Sequence, residues 1–187
     1  MSNLFISPHN DDETLFGAFT LCREAADIQV VVVFDGHVQA SRGEPVTWVE
    51  RRLETEAALR ELGVVKKPAF AGFRDDAPNW GMTREYVGRL VNKLSPGKIY
   101  APYPEVAGHD QHNNIGRIAT AAAREQDCSL IPYLTYTTQG KSTRGNIVEP
   151  EPDHIIRKLR ALACYKSQIT VVNCREHFMR GLHEYYA

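Results

Sequence analysis

The sequence predicts one α/β domain over residues 1–187, with a Rossmann-like, mostly parallel sheet and helices on both faces. Short apolar runs that are typical of strands alternate with longer segments of helical periodicity, which indicates βαβ units. The composition agrees, because 43% hydrophobic and 24% charged residues in a chain of 187 suit one globular domain. No internal repeat, low-complexity tract or linker divides the sequence.

The expected strands are apolar runs that end at turn residues. Ile28–Phe34 is the clearest of them, because five of its residues are β-branched. The expected strands cover residues 4–7, 28–34, 69–73, 99–101 and 130–136.

The expected helices repeat apolar residues every three or four positions. They cover residues 12–24, 48–62, 83–94, 114–125 and 155–165. In the second of them, the stripe expected to face the core is Val49, Leu53, Ala57 and Leu62. Arg51 and Arg52 alternate with glutamates there, and we interpret them as part of a solvated face.

Charge and hydropathy exclude several function classes. The formal net charge is −1 and no long basic run is present, so we expect no binding to nucleic acid. No segment approaches the roughly 20 apolar residues of a membrane span, and the N-terminus lacks the pattern of a signal peptide. We therefore expect a cytoplasmic protein without a membrane partner. Free thiols are expected at Cys22, Cys128, Cys164 and Cys174.

The first motif, residues 7–13, follows the first expected strand and opens the first expected helix. Ligands of open α/β sheets bind outside the carboxyl ends of the strands, so a site is expected at this loop. His9 beside Asp11 and Asp12 suits a metal centre in which one carboxylate binds the metal and the other accepts a proton. Helix capping by the acidic residues is the alternative, but it does not explain the histidine.

The second motif, residues 108–114, also lies between an expected strand and an expected helix. His109 and His112 are three positions apart, which brings them close together in a helix or a turn. A pair of surface histidines is the alternative interpretation. Because strand-to-helix junctions of a parallel sheet share one edge, the two motifs can converge on two histidines and one carboxylate. Three protein ligands with an open fourth position are typical of catalytic zinc.

Taken in order, the two motifs resemble those of the PIG-L/LmbE family of zinc-dependent N-deacetylases. That family has a His-Pro-Asp-Asp-Glu-type loop and a later His-x-Asp-His-type motif, which correspond here to residues 9–13 and 109–112. Arg51-x-x-Glu54 is similar to the arginine-bearing helix of the family, and residues 158–168 are similar to its closing helix. The resemblance therefore extends from residue 7 to residue 168.

The resemblance implies a role for each matching position. The residues in metal-ligand positions, for one Zn²⁺ per chain, are His9, Asp12 and His112. Asp11 is implied as the general base, His109 as the residue that faces the oxyanion or the leaving amine, and Arg51 as a substrate contact. The implied reaction removes an acetyl or other acyl group from the amide nitrogen of an N-acetylglucosamine-like sugar or glycoconjugate.

Two residues depart from the pattern of the family. Asn10 stands where the family has proline, and we expect little effect because that side chain is not a ligand. Gln111 stands where the family has an aspartate, whose charge would help to keep an imidazole protonated. We therefore expect Gln111 to make His109 a weaker acid and to alter the pH dependence of the reaction, with Asp110 as a displaced substitute.

Several other residues have two interpretations each. Asp75 and Asp76 follow an expected strand, and they bind substrate hydroxyl groups or form an ordinary solvated pair. The loop over residues 36–45 covers the site or is a plain connector. Tyr185 and Tyr186 pack within the domain or contact another subunit of a homo-oligomer. The histidines expected at the surface are His154 and His183.

Two alternative functions stay open at this point. A metal-dependent amidase would act on a non-sugar N-acyl compound, such as a thiol conjugate or an N-acyl amino acid. A non-catalytic module would bind a sugar or a nucleotide, and Gln111 is the one departure in its favour. The lack of a glycine-rich phosphate loop after the first strand counts against a dinucleotide.

Overall fold

The computed structural model describes residues 2–36, 46–137, 140–141, 145–169 and 183–187. Most of the loop expected to cover the site, residues 37–45, lies outside the described residues, as does Cys174. The strands are β1 (Asn3–Ser7), β2 (Ile28–Phe34), β3 (Ala69–Phe73), β4 (Lys98–Pro102), β5 (Ser129–Tyr133), β6 (Tyr136–Thr137), β7 (Gly140–Lys141), β8 (Asn146–Ile147) and β9 (Tyr185–Tyr186). The helices are α1 (Asp12–Arg23), α2 (Trp48–Glu61), α3 (Trp80–Leu94), α4 (Asp110–Glu125), α5 (Pro152–Leu162) and α6 (Lys166–Ile169).

The main sheet has seven strands in the order β3-β2-β1-β4-β5-β9-β8. Strands β1 to β5 are parallel, and β9 and β8 add two short antiparallel strands beside β5. The strand order reverses between β1 and β4, so the loops that follow these two strands border a crevice at the carboxyl edge. This topology confirms the predicted Rossmann-like, mostly parallel sheet.

Helices cover both faces of the sheet, because the central strands are buried on both sides. On one face, Phe5 and Val30 belong to a hydrophobic cluster that includes residues of α1, α2 and α5. On the other face, Leu4 and Val31 belong to a cluster that includes residues of α3 and α4. The predicted placement of helices on both faces is therefore confirmed.

The buried face of α2 differs in part from the prediction, although Leu62 at the end of the helix is buried as expected. Val49 and Leu53 are 46% and 59% exposed, whereas the residues of this helix that are buried are Arg51, Thr55, Ala58 and Leu59. The solvated position predicted for Arg51 is therefore wrong. The reason is a polar partner inside the fold, since the guanidinium of Arg51 donates to the loop that precedes α1.

Several boundaries also differ from the prediction. Helix α3 begins one turn earlier than expected, at Trp80, where the side chain of Asn79 accepts a hydrogen bond from the amide of Met82 at 3.1 Å. Helix α4 also begins a turn earlier, and the short strands β8 and β9 were not expected.

Of the remaining predictions about single residues, one is wrong and others are confirmed. His154 is buried, so its expected surface position is wrong, whereas His183 is exposed as expected. The cysteines that the structure describes, Cys22, Cys128 and Cys164, are free thiols. Within the described ranges, no helix is both long and apolar enough to cross a membrane.

Candidate functional site

The loop between β1 and α1 has an unusual backbone conformation at Asp11, whose φ is 125°. A residue with a side chain rarely adopts positive φ, and such strain persists only where the surroundings hold it. Here the carbonyl of Asp11 accepts hydrogen bonds from the amides of Thr14 at 2.9 Å and Leu15 at 2.8 Å. In the described structure the Asp11 side chain makes no capping hydrogen bond, so the capping interpretation is wrong for this residue.

Glu13 is buried beneath this loop and fixes its shape. Its Oε2 accepts a hydrogen bond from the amide of Asp11 at 3.1 Å and lies 3.2 Å from Ser7 Oγ. The hydroxyl of Tyr165 donates to Oε1. Burial raises the pKa of Glu13, against the lowering effect of the Tyr165 hydrogen bond. The sequence indicated only capping for Glu13, because no local pattern signals a contact between residues 152 positions apart.

Arg51 lies behind Asp11 with a relative exposure of 2%. Its Nη2 donates to the carbonyl of Asn10 and to Asp11 Oδ2, the latter at 3.2 Å. Gly36 leaves room for this side chain, since a Cβ at that position would lie 3.2 Å from Arg51 Nε. The described contacts of Arg51 are thus with the loop, and its contact with a substrate stays a prediction.

The second motif occupies the first turn of α4, where His112 is fully buried and His109 is exposed. One turn further on, Gly116 allows the helix to approach β4, because a Cβ there would lie 2.2 Å from the carbonyl oxygen of Pro102. This close approach places the start of α4 against the carboxyl end of β4. The histidines are thereby brought to the crevice of the sheet.

The two motifs meet at this crevice. His112 Nε2 lies 3.0 Å from Asp12 Oδ2 and 3.1 Å from His9 Nδ1. His9 Nδ1 is itself 3.1 Å from Asp12 Oδ2. His9 and His112 are 103 positions apart in the sequence, so the predicted convergence of the two motifs is confirmed.

Three atoms, His9 Nδ1, Asp12 Oδ2 and His112 Nε2, have the chemistry and the spacing of a metal site. Two ligands about 2.1 Å from a tetrahedral zinc ion lie roughly 3.4 Å apart, close to the observed separations. His109 offers a second ligand set, because one ring nitrogen from each of His9, His109 and His112 lies within 4.8 Å of the others. The residues present therefore fit a divalent metal ion such as zinc.

Burial and charge shift the titration of the site residues. Burial raises the pKa of Asp11 to about 7, against the lowering effect of Arg51. Although burial also acts on Asp12, the charge and hydrogen bond of His112 hold its pKa well below the ordinary value. Although His109 is exposed at its outer side, partial desolvation of its ring lowers its pKa to about 4, and the charges of His112 and His9 lower it further. Such a difference between the two adjacent carboxylates, Asp11 and Asp12, is typical of a pair in which one accepts a proton and the other stays ionised as a metal ligand.

Gln111 contacts His9 and not His109. Its Oε1 lies 2.6 Å from His9 Nε2, and its Nε2 donates to the backbone carbonyl of Asp75 at 2.5 Å. The described structure therefore gives Gln111 no hydrogen bond to His109, and its effect on the acidity of His109 and on the pH dependence stays a prediction.

A cavity of about 610 Å³ opens beside His109. The residues that line it are Asp75, Asp76, Pro78, Trp80, His109, Asp110, Gln111 and Asn114. Asp76 pairs with Arg74 at 2.5 Å, whereas Asp75 Oδ1 is buried without a hydrogen-bond partner among the described residues. The structure thus brings both aspartates to the cavity, although it leaves their contact with a substrate as a prediction.

The fold and the site together define an α/β protein with a candidate metal centre at the crevice of a parallel sheet. Residues 4–123 match the family model described as PIG-L: GlcNAc-PI de-N-acetylase. Because this match covers more than half of the chain, the chain belongs to the PIG-L family of de-N-acetylases. No curated protein matches the chain.

Solved structures share this fold. The N,N'-diacetylchitobiose deacetylase from Pyrococcus horikoshii is 21% identical, with a TM-score of 0.79 over 100% of this chain and 82% of that chain. A deacetylase triple mutant from the teicoplanin biosynthetic pathway is 20% identical, with a TM-score of 0.76 over 96% and 89%. A 4-carboxy-2-hydroxymuconate hydratase from Pseudomonas putida is 16% identical, with a TM-score of 0.70 over 96% and 84%. At these identities the likeness shows the fold, and the hydratase indicates that one fold serves different reactions.

Proposed function

We propose that this chain is a zinc-dependent hydrolase that removes an acetyl or other acyl group from the amide nitrogen of a small N-acetylated sugar or glycoconjugate. The observation that carries the proposal is the convergence of His9, Asp12 and His112 within 3.0–3.1 Å of one another. Membership of the PIG-L family supports the class of reaction.

His9, Asp12 and His112 are the proposed metal ligands. Their ligand atoms lie 3.0–3.1 Å apart, whereas those of the histidine-only set lie within 4.8 Å of one another. This choice also leaves His109, which is exposed at the cavity, for the substrate. When bound, zinc supplies a positive charge that polarises an amide carbonyl and lowers the pKa of a water molecule.

Asp11 is the proposed general base. Its carboxylate is held by Arg51 at 3.2 Å, and its backbone is held in place by the loop. A pKa of about 7 in the metal-free chain suits a group that takes a proton from water near neutral pH. A nearby cation lowers this pKa and favours the ionised form that a base requires. In this scheme Arg51 acts by orienting Asp11.

His109 is the proposed contact of the developing oxyanion or of the leaving amine. It lines the cavity beside Gln111, on the side of the site that is open to solvent. Because partial desolvation and the charges of His112 and His9 lower its pKa to about 4, the ring is neutral at pH 7 in the unliganded chain. A neutral imidazole offers an N–H hydrogen bond instead of a full positive charge to the oxyanion.

The residues that line the cavity favour a substrate with several hydroxyl groups. The carboxylates of Asp75, Asp76 and Asp110 are hydrogen-bond acceptors for hydroxyl groups, and Trp80 offers an apolar face to a sugar ring. The structural neighbours that deacetylate N,N'-diacetylchitobiose, or that belong to teicoplanin biosynthesis, agree with a glycoconjugate.

The test follows amine release from N-acetylglucosamine by the purified chain supplied with zinc, beside Asp11→Asn. We expect release by the wild type and a loss of about 10²- to 10⁴-fold in the variant, with zinc still bound, because a general base contributes a factor of that size. Asp127→Asn is the matched control, since Asp127 is exposed and also has a positive φ, 49°. It should keep full activity.

The other outcomes separate the alternatives. Release only from N-acyl amino acids or thiol conjugates would favour the non-sugar amidase. Zinc binding without hydrolysis of any N-acyl compound would favour the binding module. A wild-type chain that neither binds zinc nor releases amine would overturn the proposal.

A further inference from the structure

We propose that Gln111 is a positioning residue that sets the tautomer and the orientation of His9, so that Nδ1 presents its lone pair to the metal centre. The inference rests on the zinc site of the proposed function. It is carried by a chain of three polar groups that links the backbone of Asp75, the Gln111 amide and the His9 ring.

The backbone determines which way the Gln111 amide faces. The carbonyl oxygen of Asp75 lies 2.5 Å from Gln111 Nε2, and a carbonyl oxygen can only accept a hydrogen bond. In the opposite orientation, Gln111 Oε1 would face the carbonyl oxygen of Asp75, and neither of these oxygens could donate a hydrogen bond. The NH₂ group therefore faces Asp75, and the amide oxygen, Oε1, faces His9 Nε2 at 2.6 Å.

The amide oxygen in turn determines the tautomer of His9. Because this oxygen can only accept, His9 Nε2 must carry the hydrogen. A neutral imidazole has a single N–H, so Nδ1 keeps a free lone pair. Nδ1 is the nitrogen that lies 3.1 Å from Asp12 Oδ2 and 3.1 Å from His112 Nε2.

This arrangement prepares the site for a cation. A lone pair that faces a carboxylate oxygen at 3.1 Å is unfavourable unless a proton or a metal cation lies between the two atoms, and a bound metal ion takes the place of such a proton. The backbone amide of His9 also donates to Asp12 Oδ2 at 3.0 Å, which holds the carboxylate in place. A hydrogen-bonded outer partner of this kind is usual for a histidine that binds a metal.

A glutamine suits position 111 because it both donates and accepts. A glutamate of the same length would still accept from His9 Nε2, but it would place a negative oxygen against the carbonyl of Asp75. A methionine would keep the volume and lose both hydrogen bonds. The two substitutions therefore separate the contact with His9 from the contact with the loop after β3.

The first experiment measures the zinc affinity of the full chain by competition with a chelator. We expect Gln111→Met to lose about 10- to 100-fold in affinity, as is usual when the outer partner of a metal-binding histidine is removed. Gln111→Glu should stay near the wild-type value, because it keeps the acceptor. Arg117→Gln, on the exposed side of the same helix, is the matched control and should bind zinc as the wild type does.

The second experiment reads the tautomer directly, without metal or activity. Nitrogen-15 NMR of the metal-free chain at alkaline pH, with His9 assigned from its loss in His9→Asn, distinguishes the two neutral forms. We expect the Nε2-protonated form in the wild type and in Gln111→Glu. We expect a mixture of the two forms in Gln111→Met.

The two measurements keep the inference separate from the proposed function. A wild-type zinc affinity in Gln111→Met, or an Nδ1-protonated His9 in the metal-free wild type, would overturn the role of Gln111 alone. A wild-type chain that binds no zinc would overturn the proposed function. The NMR measurement would in that case still decide the tautomer.

Discussion

The two loops that form the candidate site are held in different ways. The loop between β1 and α1 rests on buried residues, since Asp12 and Glu13 are 2% and 0% exposed. The loop between β4 and α4 and the first turn of α4 instead expose His109 and Asp110, and this turn reaches the site through buried His112 and half-buried Gln111. The first loop is part of the core, and the second is a rim around the cavity. Rigid, charged groups thus lie on one side of the site, and groups that face the solvent lie on the other.

Helix α1, which continues the first loop, is anchored by a buried ion pair. Lys158 Nζ donates to the carbonyl of Leu15 at 3.0 Å and to Glu184 Oε1 at 2.7 Å. The carboxylate of Glu184 also accepts from the amide of Phe19 at 3.1 Å. Both charged side chains are fully buried, so the end of the chain is tied to the helix that carries Asp12.

The largest effect on stability is expected at this ion pair. Glu184→Ala would leave the Lys158 ammonium buried without its partner, and we expect the free energy of unfolding to fall by about 3–5 kcal/mol. Urea denaturation measures the change. Glu149→Ala is the control, because Glu149 is exposed in the same C-terminal part of the chain. A loss for Glu184→Ala no larger than that of the control would show that the pair does not anchor α1.

A smaller loss of stability is expected at the support of the first loop. Tyr165→Phe removes the hydroxyl that donates to Glu13, and we expect the free energy of unfolding to fall by about 1–3 kcal/mol. Tyr103→Phe is the matched control beside the second loop, where Tyr103 is 41% exposed, and it should leave the unfolding free energy unchanged. If Tyr165→Phe and Tyr103→Phe had equal thermal stability, the claim that the two loops are held in different ways would be contradicted.

The smallest effect on stability is expected at the rim. His109→Ala should change the free energy of unfolding by no more than about 0.5 kcal/mol, because the side chain is exposed. Amine release should nevertheless fall by about 10²- to 10³-fold, as when one oxyanion donor is removed. Zinc content is measured in the same samples. Loss of zinc from this variant would show that His109 is a ligand, which favours the histidine-only set.

The features that the sequence predicted are those with a local pattern. Ile28–Phe34 is a buried strand because its apolar, β-branched residues favour one. The convergence of the two motifs was also predictable, since junctions at the carboxyl ends of parallel strands share one edge of the sheet. Neither inference needs a contact between particular side chains.

The features that were not predicted depend on such contacts. Arg51 is buried because it meets a loop 40 positions earlier, and helical periodicity alone interprets a charged residue as solvated. Glu13 meets Tyr165 at a separation of 152 positions. The partner of Gln111 depends on where α4 begins, which was expected one turn later, and helix boundaries vary most with tertiary contacts.

The zinc content of the purified protein tests whether the two loops build one metal centre. Wild type and His112→Ala would be purified together, supplied with the same zinc, freed of excess and analysed for metal, with circular dichroism to confirm folding. We expect one zinc per wild-type chain and none in folded His112→Ala, together with a zinc-dependent rise in the melting temperature of the wild type alone. Equal zinc in the two proteins, or no zinc in the wild type, would contradict this expectation.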